Sequence, residues 1–239
     1  MSRFFDVSPG REVVNPMFGT PHLVAIAVLV AMVPAMWLSR EWLRDLALEG
    51  PLVRGIAWFI LADQLLLFGL YFVYDYEPFW ERFPLHLCSL LCIVVPILIL
   101  LGWTSALRMV AIWALGSSFM AIVNMSLPYN PPGSYIFLHY LWMHYFLFAF
   151  GIFLALRGDL QLSYVEFLQS MGALLALTLI VFLLNWALGS DYMFIGPSST
   201  LDVAFIPASM RVWPYSYPTF MAVGIAFLHL VYFAVRGLR

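Results

Sequence analysis

Phe167-Leu168-Gln169-Ser170-Met171-Gly172-Ala173-Leu174-Leu175-Ala176-Leu177-Thr178-Leu179-Ile180-Val181-Phe182-Leu183-Leu184-Asn185-Trp186-Ala187-Leu188 runs without a single charged residue. A helix that crosses a bilayer needs about 20 mostly apolar residues, because the hydrocarbon core is roughly 30 Å thick. This stretch meets that length alone. Six more runs of the same kind accompany it, at about 21–38, 53–73, 84–101, 105–124, 135–156 and 215–235. The third begins at Pro84, a residue type favoured at the first position of a helix. The sequence therefore predicts an all-α, polytopic bundle of about seven transmembrane helices, with residues 1–239 forming a single membrane domain.

Composition supports the same reading. Hydrophobic residues make up 64% of the chain and charged residues 10%, and mean hydropathy is +0.93. Soluble domains are nearer half apolar and about a quarter charged, so a water-soluble core of this length has no way to hide such a surface. The connections are short except for 189–214. That one carries Tyr192, Met193, Phe194, Phe205 and Trp213, too apolar for a segment free in water. The stretch Tyr74-Asp75-Tyr76-Glu77 closes the second run, and Pro128-Tyr129-Asn130-Pro131-Pro132-Gly133 breaks the chain between the fourth and fifth. Residues 1–20 lack the early apolar core of a cleaved signal peptide.

All eleven basic residues are arginine, which excludes a lysine Schiff base and with it a rhodopsin-like retinal site. On the side that holds the N-terminus lie Arg3, Arg11, Arg82 and Arg211. The other side holds Arg40, Arg44, Arg54, Arg108, Arg157, Arg236 and Arg239. Basic residues concentrate in cytoplasmic loops, so the N-terminus is expected outside and the C-terminus in the cytoplasm. The net charge of −2 is uninformative. Membrane lipids rather than nucleic acid are the expected partners, and the oligomeric state is not legible.

Polar groups inside membrane helices are costly and are candidate functional sites. His22, His86, Cys88, Asn124, His139, His144 and Asn185 all fall toward the same, outer ends of their helices. Asp63 and Gln64 stand apart near the middle of the second. A pocket in the outer half of the bilayer is the arrangement this suggests. Each member also has a structural reading. His22 and His229 suit interfacial hydrogen bonds, Asn124 and Asn185 suit caps or interhelical bonds, and Cys92 suits a small hydrophobe.

Helix geometry limits the chemistry. His86 and Cys88 stand about 200° apart on a regular helix, and His139 and His144 about 140° apart. No spacing matches a zinc motif, so neither metal nor cofactor is expected. A workable set pairs Cys88, or Ser89 beside it, with a histidine of the fifth helix. The opening turn of the third helix supplies backbone N–H groups and a positive dipole end, a setting that activates a thiol and receives an oxyanion.

The blocks Phe83-Pro84-Leu85-His86-Leu87-Cys88-Ser89, the loop with Pro128 leading to His144, Leu184-Asn185-Trp186 with Asp191-Tyr192-Met193-Phe194, and Trp213-Pro214-Tyr215 resemble the bacterial YwaF-like integral membrane proteins of the TMEM164 family. The resemblance runs from about residue 20 to 235. It implies a multi-pass protein of the bacterial inner membrane and a cysteine-dependent acyltransferase that moves fatty acyl chains between phospholipids. That family looks distantly related to the AIG1/ADTRP hydrolases. It further implies His144 as general base and His86 as the histidine after the helix-opening proline. In the animal branch a cysteine directly follows that proline. Here Leu85 holds the place and Cys88 comes two residues after His86.

Two functions follow as expectations. The first is a lipid acyltransferase or hydrolase with Cys88, His144 and His86 at its centre and Asn124, His139, Asn185, Tyr192, Arg211 and Asp63 around the substrate. The second is a transporter or lipid/small-molecule binding protein built on Asp63 and the outer histidines.

Overall fold

A computed structural model describes residues 3–5, 16–74, 79–125, 130–197, 199 and 207–237. Asp75, Tyr76, Glu77, Pro128, Tyr129 and Phe205, together with Arg11 and Arg239 of the arginine tally, lie outside the described residues. Among the described residues every regular element is helical: α1 Thr20–Leu38, α2 Arg40–Asp45, α3 Pro51–Val73, α4 Leu87–Leu101, α5 Thr104–Val123, α6 Tyr135–Arg157, α7 Tyr164–Leu188, α8 Ala208–Arg211 and α9 Ser216–Gly237, with short 3-10 turns at Arg3–Phe5, Phe79–Arg82 and Tyr192–Phe194. Six of these helices (α1, α3, α5, α6, α7 and α9) are long and apolar enough to cross a membrane.

The seventh expected span, α4, holds 15 residues. At 1.5 Å per residue that is roughly 22 Å, short of a bilayer core of roughly 30 Å. Its helix begins at Leu87 rather than at Pro84. The Leu85 N–H bonds back to the Phe83 carbonyl at 2.9 Å, and His86 is extended, with φ −67° and ψ 138°. Pro84 thus sits in a tight turn, and His86 takes the position before the helix. In α7 the difference runs the other way, because the helix starts three residues before the apolar run. Ser163 accepts the Glu166 N–H at 3.2 Å and its own N–H reaches Glu166 Oε2 at 2.7 Å, the reciprocal pairing of a capping box.

α5 and α6 are the most buried spans, and α1 and α9 the most exposed. Small residues bring the central helices together. A Cβ added at Gly151 of α6 would lie 2.7 Å from the Leu115 Cβ, and one at Gly116 of α5 would lie 2.5 Å from Leu228 of α9. Without a hydrophobic force between helices in lipid, such close approach supplies the packing. Trp113 Nε1 donates to Ser170 Oγ at 2.8 Å, which ties α5 to α7. Leu38, Val165, Ile180 and Leu230 are well exposed, as lipid-facing side chains are.

The two ends of the bundle are closed differently. At the end where α2 lies, Arg44 Nε donates to the Leu156 carbonyl at 2.9 Å. Arg157 there binds the carbonyls of Arg44 and Leu46 and the Asp159 carboxylate. At the end where α1 begins, Arg82 lies over the rings of Phe72 and Phe79, and histidine and tyrosine side chains bind the backbone. His22 is fully buried, accepting the Phe18 N–H at 2.8 Å and bridging to the Ile122 carbonyl at 2.9 Å. Tyr140 and Tyr145 donate to the carbonyls of Ala121 and Ala25. This second end carries the candidate residues.

Candidate functional site

Asp63 does not stand apart. α3 lies against the first two turns of α6, and three side chains of α6 converge on its carboxylate. Tyr135 Oη donates to Oδ1 at 2.8 Å, His139 Nδ1 donates to Oδ2 at 2.6 Å, and Trp142 Nε1 donates to Oδ2 at 2.8 Å. Residues 135, 139 and 142 are spaced i, i+4, i+7, so they share one helix face. Bonds to an ionised acceptor are about twice as strong as neutral ones, and here they answer a charge that lipid does not solvate.

The bond at Nδ1 leaves the far side of the His139 ring open. His139 is 4% exposed, and its Nε2 has no hydrogen-bond partner among the described residues. Gln64, next along α3, is 0% exposed, and both of its amide atoms are likewise without partners. A buried polar group left unmatched costs about 1–3 kcal/mol, so these two side chains do not explain themselves as fold-holding contacts.

In a second network the central amide is fully engaged. Asn185, near the end of α7, is fully buried. Its Nδ2 donates to the Tyr192 carbonyl at 2.8 Å, and its Oδ1 accepts from the Ser190 hydroxyl at 2.8 Å and the Tyr192 N–H at 2.9 Å. It holds the turn after α7, which passes through left-handed backbone at Gly189, Met193 and Phe194. The turn delivers the Met193 N–H to His86 Nδ1 at 3.2 Å. Tyr192 and Phe194 flank the His86 ring at 5.5 and 5.3 Å. Since His86 Nδ1 accepts a bond, the neutral ring carries its proton on Nε2.

His144 belongs to neither network. Its Nδ1 donates to the Tyr140 carbonyl at 2.6 Å, and the Tyr140 ring lies against it at 4.2 Å. The proton is thereby fixed on Nδ1 and the lone pair of the neutral ring on Nε2. Cys88 is in the first turn of α4, partly exposed, while Cys92 is buried. His86 gives that helix no side-chain cap, and the N–H groups of Leu87, Cys88 and Ser89 meet no protein acceptor among the described residues. The polar neighbour of the Cys88 thiol is the Ser117 hydroxyl of α5, without a hydrogen bond of normal geometry. No hydrogen bond joins Cys88 to a histidine.

The outer-end residues are thus divided among local networks. Asp63 and His139 are together, as are His86, Asn185 and Tyr192. Asn124 bonds back to the Met120 carbonyl at 3.0 Å, and Arg211 closes α8. Tyr135 and Trp142 are the Asp63 partners that the sequence reading passed over. Their spacing from His139 was the available signal. Among the described residues no three His, Cys, Asp or Glu side chains are grouped as metal ligands.

Neither the curated proteins nor the solved structures compared with the chain include a match. The model of the TMEM164 family matches residues 17–232, nearly the whole of the helical bundle and both polar networks. The chain belongs to the TMEM164 family.

Proposed function

We propose that the protein is a membrane-embedded acyltransferase or hydrolase of lipid esters, with Cys88 as nucleophile and His144 as general base. The observation that carries this reading is the uncapped opening turn of α4. It sets the partly exposed residue Cys88 beside backbone N–H groups that have no protein acceptor among the described residues. A thiolate and an oxyanion gain from the same positive helix end.

In the first half-reaction the Cys88 sulfur attacks a lipid ester carbonyl. The N–H groups of Cys88 and Ser89 receive the oxyanion, the ester C–O bond breaks, and the leaving alkoxide takes the proton that His144 Nε2 removed from the thiol. The Tyr140 carbonyl keeps His144 in the tautomer this requires. In the second half-reaction a hydroxyl attacks the thioester and frees the thiol. A lysophospholipid hydroxyl gives acyl transfer; water gives hydrolysis. His86 and Arg211 are assigned to the head group, and Asn185 acts by holding the 190–196 turn against His86. The pocket opens to the outer leaflet of a bacterial inner membrane, following the arginine distribution.

The test is acyl exchange onto a lysophospholipid by purified protein in nanodiscs. Cys88→Ala and His144→Ala are each expected to lower the rate by at least about 10²-fold with unchanged thermal unfolding. Activity retained in both variants overturns the assignment.

A further inference from the structure

We propose that His139 Nε2 and the Gln64 carboxamide form a buried site for a neutral hydroxyl group, the acyl acceptor of the reaction. The proposal rests on the acyl-transfer reading for its chemistry and on separate observations for its location. Asp63 takes the Nδ1–H of His139 at 2.6 Å, so the ring nitrogen left over is Nε2. Among the described residues that atom is buried without a partner, and so are both amide atoms of Gln64, which follows Asp63 on α3. A charged ring would carry an Nε2–H with no acceptor; a neutral ring presents a lone pair instead. A hydroxyl is the complement of what remains, because it donates to Nε2 and accepts from the Gln64 amide. Carboxylate, imidazole and open Nε2 repeat the geometry by which an Asp–His pair deprotonates an attacking hydroxyl. Tyr135, on Oδ1, and Trp142, which shares Oδ2 with His139, hold the carboxylate in place.

The step balances without a co-reactant. The hydroxyl proton passes to His139 Nε2, the oxygen forms a bond to the thioester carbonyl, and the C–S bond breaks. The Cys88 thiolate then recovers the proton.

The first readout needs no turnover. In protein labelled with 15N-histidine and placed in phosphatidylcholine nanodiscs, the His139 signals are assigned by their loss in His139→Gln. Nε2 is expected to resonate as an unprotonated acceptor. A saturable shift on adding monooleoylglycerol, absent with its diacetate, identifies an alcohol in the site. A water contact that neither lipid disturbs identifies water. Gln64→Leu is expected to weaken the response about tenfold, the loss of about 1.4 kcal/mol. Asp63→Asn is expected to move the proton onto Nε2, as it does in a serine-protease triad. A protonated Nε2 in the unaltered protein, or no contact with either hydroxyl source, overturns the proposal.

In the exchange assay, His139→Gln is expected to leave Cys88 acylation intact and slow acyl release by about 10²–10⁴-fold. Acylation and release lost together would place His139 on the donor side and overturn its role with the acceptor. Absence of Cys88 acylation in the unaltered protein and in His139→Gln alike is a failure of the acyl-transfer reading alone, since the NMR result stands apart from it.

Discussion

Two polar networks lie at the same end of this bundle, and they differ in what they leave unmatched. Around Asn185 both amide groups are engaged, and the result is a fixed turn. Around Asp63 the carboxylate is equally well bonded, yet its partner His139 ends in a buried nitrogen with nothing to bind. Both networks use residue types that membrane helices seldom admit. Polarity alone therefore does not separate a structural site from a functional one. The unmatched His139 Nε2 carries the functional reading here. It also shows why the Asp63 carboxylate is better read as the holder of a histidine than as a solitary charge on a transport path.

The largest effect expected from this contrast is at Asp63. Asp63→Leu strands His139 Nδ1 and Trp142 Nε1 in an apolar setting, while Tyr135 Oη keeps the backbone carbonyl of residue 63 at 3.0 Å, and breaking a buried pair in this way costs about 3–5 kcal/mol. Unfolding in detergent, followed by circular dichroism, measures it. Stability equal to that of the unaltered protein would mean that α3 and α6 are held by packing alone. A smaller loss of about 1–3 kcal/mol is expected for Asn185→Ala, localised to the turn after α7. Limited proteolysis should then cut within 190–197, with the α3–α6 end still resistant. Cleavage spread over both regions would merge the two networks into one.

Most of the fold was legible because lipid leaves the chain few options. Run length and apolarity placed α1, α3, α5, α6, α7 and α9 within a few residues. The edges were set by other forces. Hydropathy begins the sixth run at Phe167, but Ser163 and Glu166 cap the helix a turn earlier, a pairing written in the sequence and invisible to an apolar window. Pro84 suits a helix start by its own geometry. His86 overrides it, because the extended residue that accepts the Met193 N–H is bonded to a turn over a hundred residues away.

The candidate site divides in the same manner. His139, His144, His86, Cys88 and Asp63 were recognisable one by one, since each is a polar group in an apolar run. The divergence of His139 and His144 followed from their spacing, and the two rings do engage different elements. What no single run contains is the apposition of α3 with α6. Asp63 looked isolated because its helix is longer at that end, so its middle meets the beginning of α6. Tyr135 and Trp142 looked like two more aromatics in a chain that is 18% aromatic. They acquire a role only once a carboxylate is set opposite their face.

The most direct measurement is the mass of the intact protein after incubation in nanodiscs of 1-palmitoyl-2-oleoyl phosphatidylcholine and an acid quench. The expected result is an acyl adduct that maps to Cys88, builds up in His139→Gln and is missing in Cys88→Ala. An adduct on another residue, or none in any variant including His139→Gln, contradicts acyl transfer through Cys88.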